Sequence, residues 1–422
     1  MYNFFFFLII VIIIIGHIQG LYLDYLNNKM WSDAVPEQLR GIINKEKYRL
    51  SQNYSRINTR FSNISSTFFF VVILLMLFLG GFARVDDIAR SVSDNPIVVS
   101  IIFFGIIGLA SDLLGLPFSW YDTFRIEEKF GFNKTSQATF FLDHLKSWLL
   151  AVLIGAPLLA LITWLYYAAG NLFWLFAWGL ITLVSIFMNM FYSELIVPLF
   201  NKQKPLEQGE LRSEIERMAE RAGFKLSDIY TIDGSKRSTK ANAYFAGLGP
   251  KKRIVLFDTL INDLSVEEIT AVLAHEIGHY KKKHSLTMML YGILQTGIML
   301  YIFSILAGNE SLTRAMGAEI PSFHISALAF ILIYSPVSRL ISLYMNYLSR
   351  KHEYQADSFA DATYRGKSLI SALKKLSVKN LTNLNPHPAY VFVHYSHPPL
   401  LKRIANIEKA TGSKFPDSLH KP

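Results

Sequence analysis

Two histidines four residues apart, with a glutamate beside the first, are the side chains in this sequence best placed to do chemistry: His275-Glu276-Ile277-Gly278-His279. On a helix, positions four apart differ by about 40° around the axis, so both imidazoles reach one metal ion. Glu276, about 100° from His275, reaches a water at that metal without being a ligand. A zinc ion there would acidify the water, and the glutamate would take its proton. At ordinary residue usage, chance yields H-E-x-x-H in a chain of this length on the order of once in a hundred sequences. The preceding residues, Ile269–Ala274, are largely apolar, so the histidines open out of a buried helix. Ser265 and Glu268 have the spacing of a capping box that would start it.

A catalytic zinc takes three protein ligands and keeps a fourth position open. The chain has no cysteine, so the third must be His, Asp or Glu. The extended pattern H-E-x-x-H-x-x-G-x-x-H fails, because Lys282 and Ser285 stand where the glycine and histidine would be. His284 falls about 140° around the helix from His279 and reads as structural or interfacial. The stretch Arg350-Lys-His-Glu-Tyr-Gln-Ala-Asp357 supplies the better candidate, Glu353. Asp357, one turn later on the same face, is suited to accept the spare N–H of a ligating histidine and fix its tautomer.

The elements that must position these residues are mostly membrane helices. Of 422 residues, 51% are hydrophobic and only 18% charged, against about 25% in soluble chains. Without cysteine there are no disulfides, thiolate metal sites or cysteine nucleophiles. The net charge of +10 fits basic cytoplasmic loops in a membrane protein better than a nucleic-acid partner. Seven apolar stretches are long enough to span: Tyr2–Gln19, Thr67–Arg84, Pro96–Phe118, Ser147–Gly170, Asn171–Phe200, Ser285–Gly308 and Phe323–Leu348. The first lacks the basic start of a signal peptide and reads as a retained helix. Leu21–Ser66, Pro117–Lys146, Asn201–His284 and Arg350–Pro422 are rich in Lys and Arg, whereas Val85–Asn95 and Asn309–Ser322 each hold one basic residue. That alternation predicts an N-terminus outside and a C-terminus in the cytoplasm.

The chain therefore divides into five spans with their loops (1–200), a catalytic segment (201–284), two further spans (285–348) and a cytoplasmic helical region (349–422). Within the catalytic segment, Leu206–Ala222 has helical periodicity. Asp228–Asp233, Ala241–Leu248 and Arg253–Asp258 read as strands, the last two joined by a turn at Gly249–Pro250. The expected fold class is a mainly α, polytopic membrane protein with a zincin-like α+β catalytic region on its cytoplasmic side.

Five blocks in this order give the chain a resemblance to the type I CAAX prenyl proteases, integral membrane zinc endopeptidases. They are Phe124–Asn133, Ser235–Phe245, His275–His279, Ser349–Ala360 and Tyr395–Arg403, within a match running roughly from Glu46 to Arg403. The resemblance implies seven helices around an intramembrane chamber. It implies one zinc held by His275, His279 and Glu353, with Glu276 as general base and Asp357 behind a ligand. Its substrates would be peptides or proteins, isoprenylated at a C-terminal C-a-a-X sequence. Ala241–Leu248 has the look of an edge strand beside the metal helix, to which a peptide can add, with Asn242 and Tyr244 binding substrate. His397 and Arg403 would place positive donors at the developing oxyanion.

Against the family pattern, the chain lacks long insertions, and Leu419-His-Lys-Pro422 is no retention signal for the endoplasmic reticulum. That favours a compact bacterial member in the cytoplasmic membrane, or an endoplasmic reticulum protein if eukaryotic. A quality-control membrane protease would share the zinc chemistry, and a transporter or scaffold would share the seven spans. The intact H-E-x-x-H with its downstream glutamate argues against the latter.

Overall fold

The computed structural model describes residues 2–32, 34–224, 228–247 and 253–410. The chain opens with α1 (Phe4–Lys29) and α2 (Lys45–Phe78). A short amphipathic α3 (Gly81–Val92) leads into α4 (Pro96–Tyr121), which runs on as wider π turns over Asp122–Glu127. The next span is α5 (Gln137–Leu150) and α6 (Ala156–Ala168), joined by π turns at Ala151–Gly155. A tight turn at Gly170, with φ +53°, reverses the chain into α7 (Phe173–Leu195) and α8 (Val197–Phe200).

The catalytic segment then builds a small sheet. Its parts are β1 (Gln203–Pro205), α9 (Glu210–Arg221), β2 (Asp228–Ile232), β3 (Ala243–Ala246), β4 (Arg253–Phe257), α10 (Asp258–Asp263) and the metal helix α11 (Val266–Lys281). The strand order is β1-β2-β4-β3, with β2 and β4 parallel and both outer pairs antiparallel. β3 is thus an edge, with Tyr244 opposite Val255 and Phe245 opposite Ile254. The membrane is re-entered by α12 (His284–Leu306) and, after α13 (Glu310–Ala315), by the long α14 (Phe323–Thr363). Three helices close the described chain: α15 (Gly366–Lys379), α16 (Pro388–His394) and α17 (Leu400–Ala410).

Among the described residues seven helices are long and apolar enough to cross a membrane. They touch in sequence around a closed ring: α1 with α2, α2 through α3 with α4, α4 with α6, α6 with α7, α7 with α12, α12 with α14, and α14 back to α1. No more than 28% of any apolar window is buried, so most of this surface faces lipid or the inside of the ring. The core proper lies in the catalytic region. There Ile215 and Met218 of α9, Ile229 and Leu256 of the sheet, and Ile269, Leu273 and Ile277 of α11 pack together. The first helix is part of the assembly: Phe6 and Ile9 are fully buried, and Asn27 Oδ1 accepts the His387 N–H at 3.0 Å.

Several boundaries differ from expectation. The second span stops at Phe78, because Gly80 takes a left-handed conformation (φ 64°) that ends the helix; Phe82–Arg84 belong to α3. Much of Leu21–Ser66 continues the helices on either side, since charged and polar residues extend a helix readily once it leaves the bilayer. Val85–Asn95 is largely the amphipathic α3 rather than a loop. β1 was not foreseen: three polar-flanked residues carry no alternation. Leu248, the Gly249–Pro250 turn and the tail from Thr411, including Leu419–Pro422, lie outside the described residues.

Candidate active site

The metal helix begins where the sequence places its cap. Ser265 Oγ accepts from the Glu268 N–H and the Glu268 carboxylate accepts from the Ser265 N–H at 2.9 Å. Nine of its sixteen residues are buried, which fixes its rotation and aims His275, Glu276 and His279 at one cavity. Its main neighbours are α9, α14 and α15. The approach to α14 depends on Gly278: a Cβ there would stand 3.2 Å from both Cα and the carbonyl oxygen of Ala356. That contact sets Glu353, one turn before Ala356, opposite the two histidines.

One ligand atom from each of His275, His279 and Glu353 falls within 4.8 Å of the others. His275 Nε2 and His279 Nε2 are 3.1 Å apart, and Glu353 Oε1 is 3.2 Å from His279 Nε2. Two imidazole nitrogens converging on a carboxylate is the donor set that zinc takes. Glu353 Oε2 is buried and has no hydrogen-bond partner among the described residues, as expected for an oxygen turned toward a cation. The residues therefore fit a metal.

Their other atoms are held so as to keep the metal-facing nitrogens free. His275 Nδ1 lies 2.9 Å from Asp357 Oδ1, so the proton sits on Nδ1 and the Nε2 lone pair points at the site. Burial would lower the basicity of this imidazole, but Asp357 and Glu353 outweigh it and lift its pKa to about 9. On His279 the partner is His284. Gln355 Oε1 accepts from His284 Nε2 at 2.8 Å, which leaves His284 Nδ1 to accept from His279 Nδ1 at 3.1 Å. His352 stacks on His284 with ring centroids 4.0 Å apart.

The cavity in front of these groups measures about 390 Å³ and is lined by Ala241, Asn242, Glu276, Glu353, His397 and Arg403, among others. Glu276 is half-buried on its wall. Asn242 is exposed at its lip, beside β3. Tyr244 does not share this cavity; it lines a larger one of about 920 Å³ next door, the two sharing Phe245, Tyr280 and Ser285 as walls. His397 has a side chain 64% exposed, with Nε2 3.3 Å from Glu353 Oε1. Arg403 is not free to meet substrate. Its Nε and Nη2 donate to the two oxygens of Asp357 at 2.9 and 2.6 Å, and Nη1 is 3.3 Å from Glu353 Oε2. Two buried carboxylates side by side require such a counter-charge.

Residues 24–202 match the family described as "CAAX prenyl protease N-terminal, five membrane helices", and residues 205–411 match peptidase family M48. The CAAX prenyl protease 1 homolog of Dictyostelium discoideum is 35% identical over 404 residues, covering 93% of this chain and 94% of that protein. CAAX prenyl protease 1 of Saccharomyces cerevisiae is also 35% identical, with 93% of each chain covered. The human homolog is 33% identical with 88% of each covered. The crystal structure of S. mikatae Ste24p superposes with a TM-score of 0.91 at 35% identity, spanning 96% of this chain and 99% of that one.

The chain belongs to the CAAX prenyl protease 1 family.

It is a multi-pass membrane metalloprotease of family M48 with a mainly helical fold. Two groups in the site of this family member escape a sequence reading. Gly278 hides inside the H-E-x-x-H motif as a variable position; the small residues Ala356 and Ala360, four apart on α14, are the signal that a close helix crossing needs a glycine opposite. Gln355 is a polar residue on a polar helix, and only the packing of α12 against α14 turns it toward His284.

Proposed function

We propose that this protein is a zinc endopeptidase that cleaves isoprenylated C-terminal peptides, with one zinc per chain held by His275, His279 and Glu353. The observation that carries this reading is the convergence of those three ligand atoms, with Asp357 behind His275 and Glu276 beside them. When bound, zinc supplies a Lewis acid that acidifies water and polarises the scissile carbonyl. Glu276 takes a proton from the attacking water and delivers it to the leaving nitrogen. Asp357 keeps the His275 proton on Nδ1, and Arg403 neutralises Asp357 and Glu353 rather than touching substrate. The substrate adds as a strand to the open edge of β3, where Asn242 orients its backbone at the lip of the cavity. Tyr244 contacts the part of the substrate that extends into the neighbouring apolar cavity. His397, exposed and close to Glu353, donates to the oxyanion.

The isoprenyl requirement is carried over from the names of the relatives, which are CAAX prenyl proteases. We place the catalytic region in the cytoplasm and the N-terminus outside, from the distribution of Lys and Arg. The chain's shortness does not separate a bacterial from an endoplasmic reticulum membrane, because it covers 94% of the slime-mould protein's length. The division of the chain near residue 201 into membrane and catalytic parts follows the same reading. The deciding experiment couples zinc analysis of the purified protein to cleavage of a farnesylated C-a-a-X peptide, its unprenylated counterpart, and an unfolded membrane protein. Cleavage of the unfolded protein alone would make this a quality-control protease. Cleavage of the farnesylated peptide after full chelation would remove zinc from the reaction.

A further inference from the structure

A second polar pocket lies far along the chain from the catalytic residues, just beyond the end of the first span. It measures about 380 Å³ and is lined by Trp31, Ser32, Arg49, Gln52, Asn53 and Arg56. Trp31 and Ser32 follow directly on α1, and the other four occupy two turns of α2. Among the described residues no carboxylate lines it. The Arg56 guanidinium stacks over the Trp31 ring at 5.1 Å, which fixes the ring and presents a cation at the pocket wall.

Its inner wall is unsatisfied. Gln52 is 7% exposed, yet both its amide nitrogen and its amide oxygen are buried with no hydrogen-bond partner. Trp31 Nε1 is in the same state. Buried donors and acceptors are nearly always paired, and an orphan costs about 1–3 kcal/mol, so three at one pocket call for a partner. The donor and acceptor inventory describes that partner. Two guanidinium groups, an indole N–H and an amide N–H suit the oxygens of a phosphate. The Gln52 amide oxygen can only accept, so the ligand must also carry a hydroxyl.

We propose that this pocket binds a phosphorylated polyol, a phosphate group flanked by hydroxyls such as an inositol or glycerol phosphate. The ligand ties the end of α1 to α2 where the two leave the membrane. Either a lipid headgroup or a free phosphorylated polyol has this chemistry.

The full-length protein in nanodiscs separates the sources. Binding of inositol phosphate and glycerol phosphate is measured in solution, and in parallel the nanodiscs contain either phosphatidylcholine alone or phosphatidylcholine with phosphatidylinositol phosphate or phosphatidylglycerol. Thermal midpoints are read in every case. We expect a midpoint that rises with the phosphorylated polyol, and binding that weakens as salt is raised. A rise in the lipid arm alone identifies a headgroup; a rise with the soluble compounds identifies a free ligand. Arg56→Ala and Gln52→Leu should each weaken binding at least tenfold while zinc content and peptide cleavage stay normal. Gln52→Leu gives the sharper test. If the pocket holds no ligand, removing a buried unpaired amide raises the midpoint in plain phosphatidylcholine and leaves both arms without response, and the proposal fails. It also fails if binding is found but is unaltered in both variants.

Discussion

Gly278 and Ala356 pack backbone against backbone. A methyl group added at Gly278 would lie 3.2 Å from the Ala356 Cα and carbonyl oxygen, and 3.1 Å from the Phe359 ring. Phe359 can yield, but the backbone of α14 cannot move without carrying Glu353 with it. Gly278→Ala gains roughly 0.5–1 kcal/mol of helix propensity and loses about 1–3 to overpacking, so the net effect on overall stability is small. The effect on the site is larger, because a few tenths of an ångström separate Glu353 from the histidines. We expect reduced zinc affinity and at least a tenfold fall in kcat/KM with the thermal midpoint changed little. Unaltered zinc affinity in Gly278→Ala would show that the crossing does not set the metal geometry.

The ligand set makes a graded series. His275→Ala, His279→Ala and Glu353→Ala should each lose zinc from the purified protein, since three ligands are the usual minimum for a catalytic site. Asp357→Asn and His284→Ala leave the ligands in place and remove the groups that hold their tautomers, so affinity should fall by roughly 10–100-fold. Competition against a fluorescent zinc chelator measures both. A full complement of zinc in Glu353→Ala would return the third-ligand role to another residue.

What could be read from the sequence follows a physical divide. H-E-x-x-H, its capping box and the apolar spans are local patterns, and all stand in the structure. Glu353 and Asp357 were legible because four-residue spacing puts them on one helical face. Arg403 was assigned to the oxyanion, and its actual partners are two carboxylates on another helix. Nothing in Pro399-Leu-Leu-Lys-Arg403 announces that, because the need for a counter-charge arises only when Asp357 is buried. The same holds for His284, whose hydrogen bond to Gln355 joins residues 71 apart in sequence.

Glu268 links the stability of the metal helix to pH. Burial pushes its carboxyl up, but Lys375, Ser371 and the Ser265 N–H outweigh that and hold it below the ordinary value. The unfolded chain therefore binds the extra proton in the window between the folded value and about 4.3, the unfolded reference. The stabilisation is complete above that reference and fades as pH falls through the folded value. Glu268→Ala should destabilise by roughly 1–3 kcal/mol near neutral pH. The gap in thermal midpoint between wild type and variant should narrow steadily below about pH 4.5. A gap that stays constant from pH 7 to pH 3.5 would assign the loss to packing alone.

Glu276→Gln isolates the proton transfer. The amide fills the same space but cannot take a proton from water, so zinc should remain and turnover should fall by roughly 10²–10⁴-fold. Single-turnover cleavage with zinc measured in the same sample decides it. A variant with half the wild-type rate would mean that another group on the cavity wall activates the water.

His397 is the group whose role rests on the least contact and the most exposure. It precedes Pro398-Pro399, which restricts its backbone to extended conformations, and Ser396 Oγ lies 3.0 Å from its Nδ1. Its Nε2 stands 3.3 Å from Glu353 Oε1, so the imidazole already points at the place where the metal and the scissile carbonyl would meet. Arg403, the other nearby cation, is fully occupied by Asp357 and Glu353. The negative charge that develops on the carbonyl oxygen in the transition state thus has one side-chain donor within reach besides zinc. A donor that acts only there lowers kcat and leaves KM largely unaltered. His397→Ala should lower kcat by roughly 10²–10³-fold, the usual cost of one oxyanion donor, with normal zinc content. His397→Gln, which keeps an N–H, should recover part of the loss. If His397→Ala raises KM alone, the imidazole binds substrate in its ground state, and charge on the oxyanion is met by zinc without it.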